Sequence, residues 1–284
     1  MAQNNFSDRM NLFMIVNDPE IATFVADHGV TRLFVDLEYM GKDIRQKGDT
    51  WKSRHTLDDV AIIRNAAPQA HLMVRVNPLH NATANEVDNV LARGADSIML
   101  PMFHSSDDLS RFFDIVNNRA EIVPLIETHS ALLDVPKMVK KLPLTQVHFG
   151  LNDLHLDMGL MFMFQLIADG TLEPAAAALR AAHIPFGIGG IAQVDDGGIS
   201  PRYLLGEHVR LGSSSAILSR GFHKGAPSLD VLKASVNFAQ EIEKLNAIYN
   251  EFKQSDAEIL EKNRIATSQR IAKAVTKIAA QRQV

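Results

Sequence analysis

The feature that most restricts the fold of this 284-residue chain is an alternation between short apolar or β-branched runs and helical patterns. The strand candidates are residues 11–17 (NLFMIVN), 33–38 (LFVDLE), 71–77 (HLMVRVN), 97–102 (SIMLPM), 121–128 (EIVPLIET), 146–152 (QVHFGLN), 185–191 (PFGIGGI) and 208–213 (HVRLGS). Most are near-continuous apolar runs, as strands covered on both faces require. The segments between them carry helix signals. Asp18-Pro19 opens one helix and Gly29 stops it, Thr56 with Asp59 forms a capping box, and Gly94 closes a helix over 84–93. Further helices read at 107–116, 131–142, 174–183 and 201–207. Repeated strand–helix units at this spacing predict a closed (β/α)8 TIM barrel, a fold of about 250 residues. A doubly wound sheet would place a glycine-rich phosphate turn after its first strand, where this chain has Asn17-Asp18-Pro19.

Composition narrows the chemistry. Cysteine is absent, which excludes a disulfide scaffold, a thiolate metal site, an iron–sulfur cluster and a cysteine nucleophile. With 29 basic and 33 acidic residues the net charge is −4, which argues against a broad nucleic-acid surface. The longest apolar cluster, residues 159–168, contains Gln165 and is too short to span a membrane. The first residues lack the apolar centre of a secretion signal. The expectation is a cytoplasmic protein with neither nucleic acid nor membrane as partner.

In a barrel of this kind the active site forms at the C-terminal ends of the strands. Those ends carry Asp18, Asp36, Glu38, Arg75, Asn77, Glu127, Thr128, Asn152 and Asp153. Glu127 and Asp153 end neighbouring strands, so their carboxylates can converge. Such a pair suits an oxygen-loving divalent ion, Mg²⁺ or Mn²⁺, although single acids there also serve as helix caps or ion-pair partners. Arg75 offers a planar, permanently charged fork for an anionic oxygen, or an internal ion pair with Glu127 or Glu38.

Together, Val35-Asp-Leu-Glu38, Val74-Arg-Val-Asn77, Leu125-Ile-Glu-Thr128 and Phe149-Gly-Leu-Asn-Asp-Leu154, with Met158-Gly159 beyond, resemble the HpcH/HpaI aldolase/citrate lyase family over roughly residues 10–225. The resemblance implies a barrel of the phosphoenolpyruvate/pyruvate superfamily. It also implies a divalent metal, Mg²⁺ or Mn²⁺ with Co²⁺ as a further candidate, that chelates a 2-oxo acid through its carboxylate and keto oxygen. By position, Glu127 and Asp153 would be the metal ligands. Arg75 would hold the keto oxygen as it becomes an enolate, with Asn77, Leu151 and Asn152 beside the substrate. The reaction implied is a class II aldolase type of carbon–carbon lyase step, in which metal and guanidinium place positive charge where negative charge develops. No lysine stands at a strand end to form a Schiff base.

The family's pyruvate aldolases usually place an acid/base histidine directly after the strand-two glutamate. This chain has Tyr39 there, which moves the acid/base candidates to Asp36, Glu38, Asp43, Asp49 and His55, around a long polar loop over 39–55 that also holds Trp51. Lys42 and Arg45 loosely follow the citrate-lyase-like pattern, so an acyl-CoA lyase or condensing enzyme stays open. A barrel without chemistry, used for binding or assembly, is the third reading. The small-residue segments 187–191 and 211–216 fit either a phosphate site at strands seven and eight or close packing.

From residue 228 the pattern is helical only, which divides the chain into a barrel core over 1–227 and C-terminal helices over 228–284. Phe238, Ile242, Leu245, Tyr249 and Phe252 form an apolar seam, and Ile271, Val275 and Ile278 repeat it. The first seam can belong to the last barrel helix. A surplus helix with its own stripe packs either on its own barrel or on a neighbouring subunit. Many members of the resembled family exchange such a helix, so a homo-oligomer is expected.

Overall fold

The structure, a computed structural model, describes residues 9–42, 55–194 and 199–282. Eight parallel strands close a barrel in chain order. They are β1 (Asn11–Ile15), β2 (Arg32–Asp36), β3 (His71–Arg75), β4 (Ser97–Leu100), β5 (Glu121–Ile126), β6 (Val147–Phe149), β7 (Phe186–Ile191) and β8 (Ser215–Leu218). Between them run α1 (Pro19–Asp27), α2 (Leu57–Ala66), α3 (Thr83–Ala92), α4 (Ser106–Val116) and α5 (His129–Lys141). These are followed by α6 (Leu151–Asp157), α7 (Gln165–Ala168), α8 (Glu173–Ala181) and α9 (Pro201–Leu211). After β8 come α10 (Arg220–His223), α11 (Leu229–Ser235), α12 (Phe238–Lys253) and α13 (Ala257–Arg282). The (β/α)8 barrel with a C-terminal helical extension is therefore the observed architecture. Its local signals operate as read: the Asp18 side chain accepts from Ile21 N–H at 2.8 Å, and Thr56 and Asp59 make the reciprocal capping box.

Strand eight is a correction. The run His208-Val-Arg-Leu211 is the last turn of α9, and β8 starts four residues later. Its alternation of apolar and polar residues imitates a strand. Leu204, Leu205, His208 and Leu211 nevertheless share one buried helical face, and Gly212 ends the helix with φ 85°. The register Asn11↔Ser215 then closes the barrel between β8 and β1.

Inside the barrel, Phe13, Phe34, Met73, Met99, Val123 and Leu125 form one fully enclosed apolar layer. Below it, at the N-terminal ends of the strands, Arg32 grips Glu121 through two hydrogen bonds of 2.8 and 3.2 Å, and His71 Nε2 meets Ser97 Oγ at 2.9 Å. His148 also faces inward, with Nε2 3.2 Å from the Gly189 carbonyl oxygen and its ring tilted 5.9 Å from that of Phe13. The larger core lies between barrel and helices. This plugged floor leaves the C-terminal mouth as the place for chemistry.

The helical extension is packed within the chain. Phe238, Ile242, Leu245, Tyr249 and Phe252 are all buried, and Tyr249 Oη donates to the Ser213 carbonyl at 3.0 Å. α12 thus takes the place of the last barrel helix, against α9. The surplus helix α13 crosses α9 and α7. Asn263 Nδ2 donates to Tyr203 O at 3.0 Å and to Glu207 Oε1 at 3.1 Å, and Thr267 and Ile271 are buried on the same stripe. A side chain at Gly206 would overlap Asn263, so this docking is shaped as well as bonded. The first seam finds its cover inside the chain; of the second, Ile271 is buried while Val275 and Ile278 stay half-buried.

Candidate active site

The mouth begins with a pair fixed by strand register. Asp36 ends β2, Arg75 ends β3, and the two are register partners. Arg75 Nε and Nη2 donate to Asp36 Oδ1 and Oδ2 at 2.9 and 2.8 Å, a bidentate fork. Lys42 Nζ donates to Asp36 Oδ2 at 2.8 Å and stands 3.4 Å from Glu38 Oε2; Arg75 Nε is also 3.4 Å from that oxygen. Asp36, Glu38 and Lys42 are buried, so the four side chains form a ring of alternating charge out of water. Burial at such a place is tolerable only because each charge faces its opposite.

The electrostatics follow from that ring. Burial alone would raise the Asp36 pKa, but Arg75 and Lys42 outweigh it and hold the carboxyl well below the usual range. Burial likewise works against the Arg75 guanidinium, and Asp36, Glu38 and Glu127 together hold its pKa above the ordinary value. Asp36 is thus a permanent carboxylate and Arg75 a permanent cation. Arg75 spends Nε and Nη2 on Asp36; Nη1 has no hydrogen bond among the described residues. His55 Nδ1 accepts the Asp36 backbone N–H at 3.1 Å, which places the ring proton of the neutral form on Nε2. Burial pushes the His55 pKa down, against the pull of Asp36 and Asp59, so the neutral form dominates at pH 7.

Glu127 lies just past β5 and is buried. Its Oε1 accepts the Met102 backbone N–H at 3.1 Å. Met102 adopts φ 51° to deliver it, a left-handed conformation that costs a residue with a side chain about 1–2 kcal/mol. On the other side stands Gly150, where a Cβ would come within 2.8 Å of Glu127 Oε2. Gly150 also ends β6. Asp153, expected at the end of that strand, instead lies buried in the first turn of α6. The strand stops at Phe149 because the chain turns into the helix at Gly150, and an acid in the first helical turn is favoured by the helix dipole.

The remaining expected residues divide between mouth and scaffold. Leu151 and Asn152 form the start of α6, Leu151 buried and packed over Gly189, Asn152 exposed. Asn77 is buried, and its side chain is taken up by the scaffold. Its Oδ1 accepts the Tyr39 and Met40 N–H groups at 3.0 Å each, and its Nδ2 donates to Glu86 Oε1 at 2.7 Å. Tyr39 is 70% exposed and turns away from the buried charges. Asp43, Arg45, Asp49 and Trp51 lie outside the described residues. The segment 187–191 is largely β7 itself, and 211–216 lies at the N-terminal end of β8, opposite the mouth. These two segments do not come together as a phosphate loop at the strands' C-terminal ends, because the true β8 begins only at Ser215.

Sequence reasoning missed Met102, Gly150 and Glu86. A glycine at a strand end, with one residue between it and the Asn152-Asp153 pair, was a legible hint for Gly150. Nothing in Leu100-Pro-Met-Phe103 signals a left-handed methionine. Among the described residues no group of three or more His, Asp or Glu side chains is arranged to hold a metal. Glu127 and Asp153 offer a two-carboxylate set whose hard oxygen donors suit Mg²⁺ or Mn²⁺, ions that keep several positions for water and substrate.

Comparison with known proteins agrees with this architecture. The sequence profile of the HpcH/HpaI aldolase/citrate lyase family matches residues 9–165, more than half of the chain. No curated protein matches. Among solved structures, an HpcH/HpaI aldolase from Desulfitobacterium hafniense is similar with TM-score 0.58 and 16% identity, covering 81% of this chain and 95% of that one. RipC from Yersinia pestis has TM-score 0.55 and 17% identity over 89% of this chain and 99% of its own. The citrate synthase SbnG has TM-score 0.57 and 14% identity over 84% and 96%. These likenesses support the fold, no helix among the described residues is long and apolar enough to cross a membrane, and the profile match settles the grouping: the chain belongs to the HpcH/HpaI aldolase/citrate lyase family.

Proposed function

We propose that the protein is a divalent-metal-dependent carbon–carbon lyase that acts on a 2-oxo acid through a pyruvate-like enolate. The observation that carries this reading is the Asp36–Arg75 fork. It fixes a permanently charged guanidinium at the mouth by two nitrogens and leaves Nη1 unbonded among the described residues. A guanidinium so held stabilises an enolate oxygen as its charge develops, with no reorganisation during the step. Asp36 positions Arg75 and stays ionised, so it carries no proton in the reaction. Glu38 completes the ring from the other side. His55, neutral with its proton on Nε2, can donate a hydrogen bond or pass that proton.

Glu127 and Asp153 are the residues that would hold the metal. Bound there, Mg²⁺ or Mn²⁺ (Co²⁺ as a third choice) would supply Lewis-acid polarisation of the substrate. Both side chains are buried carboxylates, hard oxygen donors of the kind these ions take. The family resemblance puts Leu151 and Asn152, at the start of α6, beside the substrate, while Asn77 holds the segment after β2 through the Tyr39 and Met40 N–H groups. Residues 1–227 form the catalytic barrel in this reading and 228–284 the helical extension, with subunits assembling as a homo-oligomer.

The test is deuterium exchange at the pyruvate methyl group, followed by NMR with Mg²⁺, Mn²⁺ or Co²⁺. Exchange should require the metal and be lost in Glu127→Gln and Asp153→Asn variants that keep their melting temperature. Exchange that survives chelation would refute the metal role. Absence of exchange in the wild-type protein with every metal would favour a non-catalytic barrel.

A further inference from the structure

We infer that Met102 and Gly150 form a clamp that sets the Glu127 carboxylate in its ligating orientation before any metal arrives, and that they are positioning residues for this site. The inference rests on the reading of Glu127 as a metal ligand and names what orients it. Two elements hold the side chain from opposite sides. From the β4 side, the Met102 N–H reaches Oε1 at 3.1 Å. Met102 takes φ 51° where it offers that N–H, so the chain leaves the contact in a left-handed turn. The same loop is tied to the end of β5 a second time, by the Thr128 hydroxyl donating to the Phe103 carbonyl at 2.8 Å. Thr128 in turn caps α5, accepting the Ala131 N–H at 3.2 Å. Glu127 is therefore bracketed by a loop that cannot shift alone.

From the β6 side, Gly150 supplies room. Its φ of −87° is open to any residue, so the backbone does not demand glycine there. Space does: a Cβ would lie 2.8 Å from Glu127 Oε2, 3.0 Å from Glu127 Cβ and 3.2 Å from Leu125 Cδ1. With Oε1 engaged by Met102, Oε2 lies over Gly150, the residue that opens the helix bearing Asp153. The clamp thus directs one oxygen of Glu127 toward the side of the mouth where the second carboxylate stands. A left-handed methionine and a glycine with no room for a Cβ thus converge on one carboxylate.

The experiment is Mn²⁺ titration of the full-length protein without substrate, with free Mn²⁺ read by electron paramagnetic resonance and the metal-free melting temperature measured alongside. Gly150→Ala should weaken Mn²⁺ binding at least tenfold by displacing Oε2. Met102→Val, whose branched side chain resists the left-handed conformation, should weaken it by a similar factor. Met102→Gly keeps the N–H and removes the strain, so it should bind Mn²⁺ within twofold of wild type. A purely structural role would lower the melting temperature of the first two variants and leave their Mn²⁺ affinity intact. If Glu127→Gln weakens binding while Gly150→Ala and Met102→Val bind as wild type, the clamp is overturned and the metal reading stands. If Glu127→Gln leaves Mn²⁺ binding unchanged, the metal reading falls and takes the clamp with it. Should Gly150→Ala fail to fold, the contrast between Met102→Val and Met102→Gly decides the matter: equal affinity in the two overturns the clamp.

Discussion

Acidification should destabilise this protein through two histidines enclosed in the neutral form. His148 is completely buried in the barrel, and its Nδ1 has no hydrogen-bond partner among the described residues. Burial pushes its pKa from 6.5 down to about 4, against the Gly189 carbonyl and with the help of the Arg75 charge. His208, on the inner face of α9 with Nδ1 2.9 Å from Ser213 Oγ, is pushed by burial from 6.5 down to about 3, and His148 adds to the effect. The unfolded chain takes up both protons as pH falls through 6.5, whereas the folded chain refuses them until pH 4 or below. Stability is therefore full above pH 6.5 and falls with pH between 6.5 and 4. At pH 5 each site lies about 1.5 pH units below its unfolded pKa, which is about 2 kcal/mol per histidine and about 4 kcal/mol for the two. That is a large part of a typical stability of about 5–15 kcal/mol. The assay is urea unfolding followed by circular dichroism at pH 7.5, 6.5, 5.5 and 5.0, on wild type and His148→Gln. Glutamine can still donate to the Gly189 carbonyl and does not titrate. The difference between the two stability curves isolates His148 from the other histidines whose pKa values are also lowered, His55, His71 and His223. The variant should lose about 2 kcal/mol less than wild type between pH 7.5 and 5. Equal losses in both proteins would show that His148 is protonated in the folded state at pH 5, and the reasoning would fail.

Arg75→Lys keeps the charge but loses the fork on Asp36, so turnover in pyruvate exchange should fall at least ~100-fold. A rise in KM with unchanged turnover would mean that Arg75 only anchors the substrate. Deleting residues 257–284 uncovers Tyr203, Glu207 and the stripe that receives Asn263, so the truncated protein should melt several degrees lower and bind a hydrophobic dye; unchanged melting would show that α13 docks without stabilising. A native mass measurement on full-length protein tests assembly directly, with a homo-oligomer expected and a mass of 31.4 kDa, that of one chain, counting against it.

How much of this was legible in the sequence depends on the range of the interaction that fixes each feature. Caps and periodicity are local, and Asp18-Pro19, the Thr56–Asp59 box and Gly94 mark element ends within a residue or two of those observed. Strand eight failed because a local signal was ambiguous: His208-Val-Arg-Leu211 suits either period, and only the buried face shared with Leu204 and Leu205 assigns it to a helix. That error displaced the small-residue segment 211–216 to the wrong end of the barrel. The C-terminal seam was legible as a stripe, but its partner was not, because its cover is decided by residues distant in the chain, such as Phe24 against Phe238 and Tyr203 against Asn263.

The candidate site shows the same limit more sharply. Residue types at strand ends, Asp36, Arg75 and Glu127, are readable because the barrel's topology fixes where strand ends go. Which hydrogen bond each makes is a matter of ångströms. Asp36 and Arg75 pair because β2 and β3 align in register, and that pairing changes Asp36 from an acid/base candidate into a permanent anion. Asn77 changes role for a similar reason, its amide being spent on Tyr39, Met40 and Glu86. Tyr39 occupies the histidine position in sequence yet points to solvent. A proton relay cannot be inherited by position alone, and any residue that replaces it must lie within reach of the Asp36–Arg75 pair. Among the described residues Glu38, His55 and Lys42 meet that condition. Lys42 is bound to Asp36 at 2.8 Å as a charge partner, whereas His55 engages Asp36 only through Nδ1 and keeps Nε2 for other work. The geometry therefore separates Lys42, a charge partner, from His55, and supports the proposed proton role of His55, whose Nε2 is not spent on Asp36.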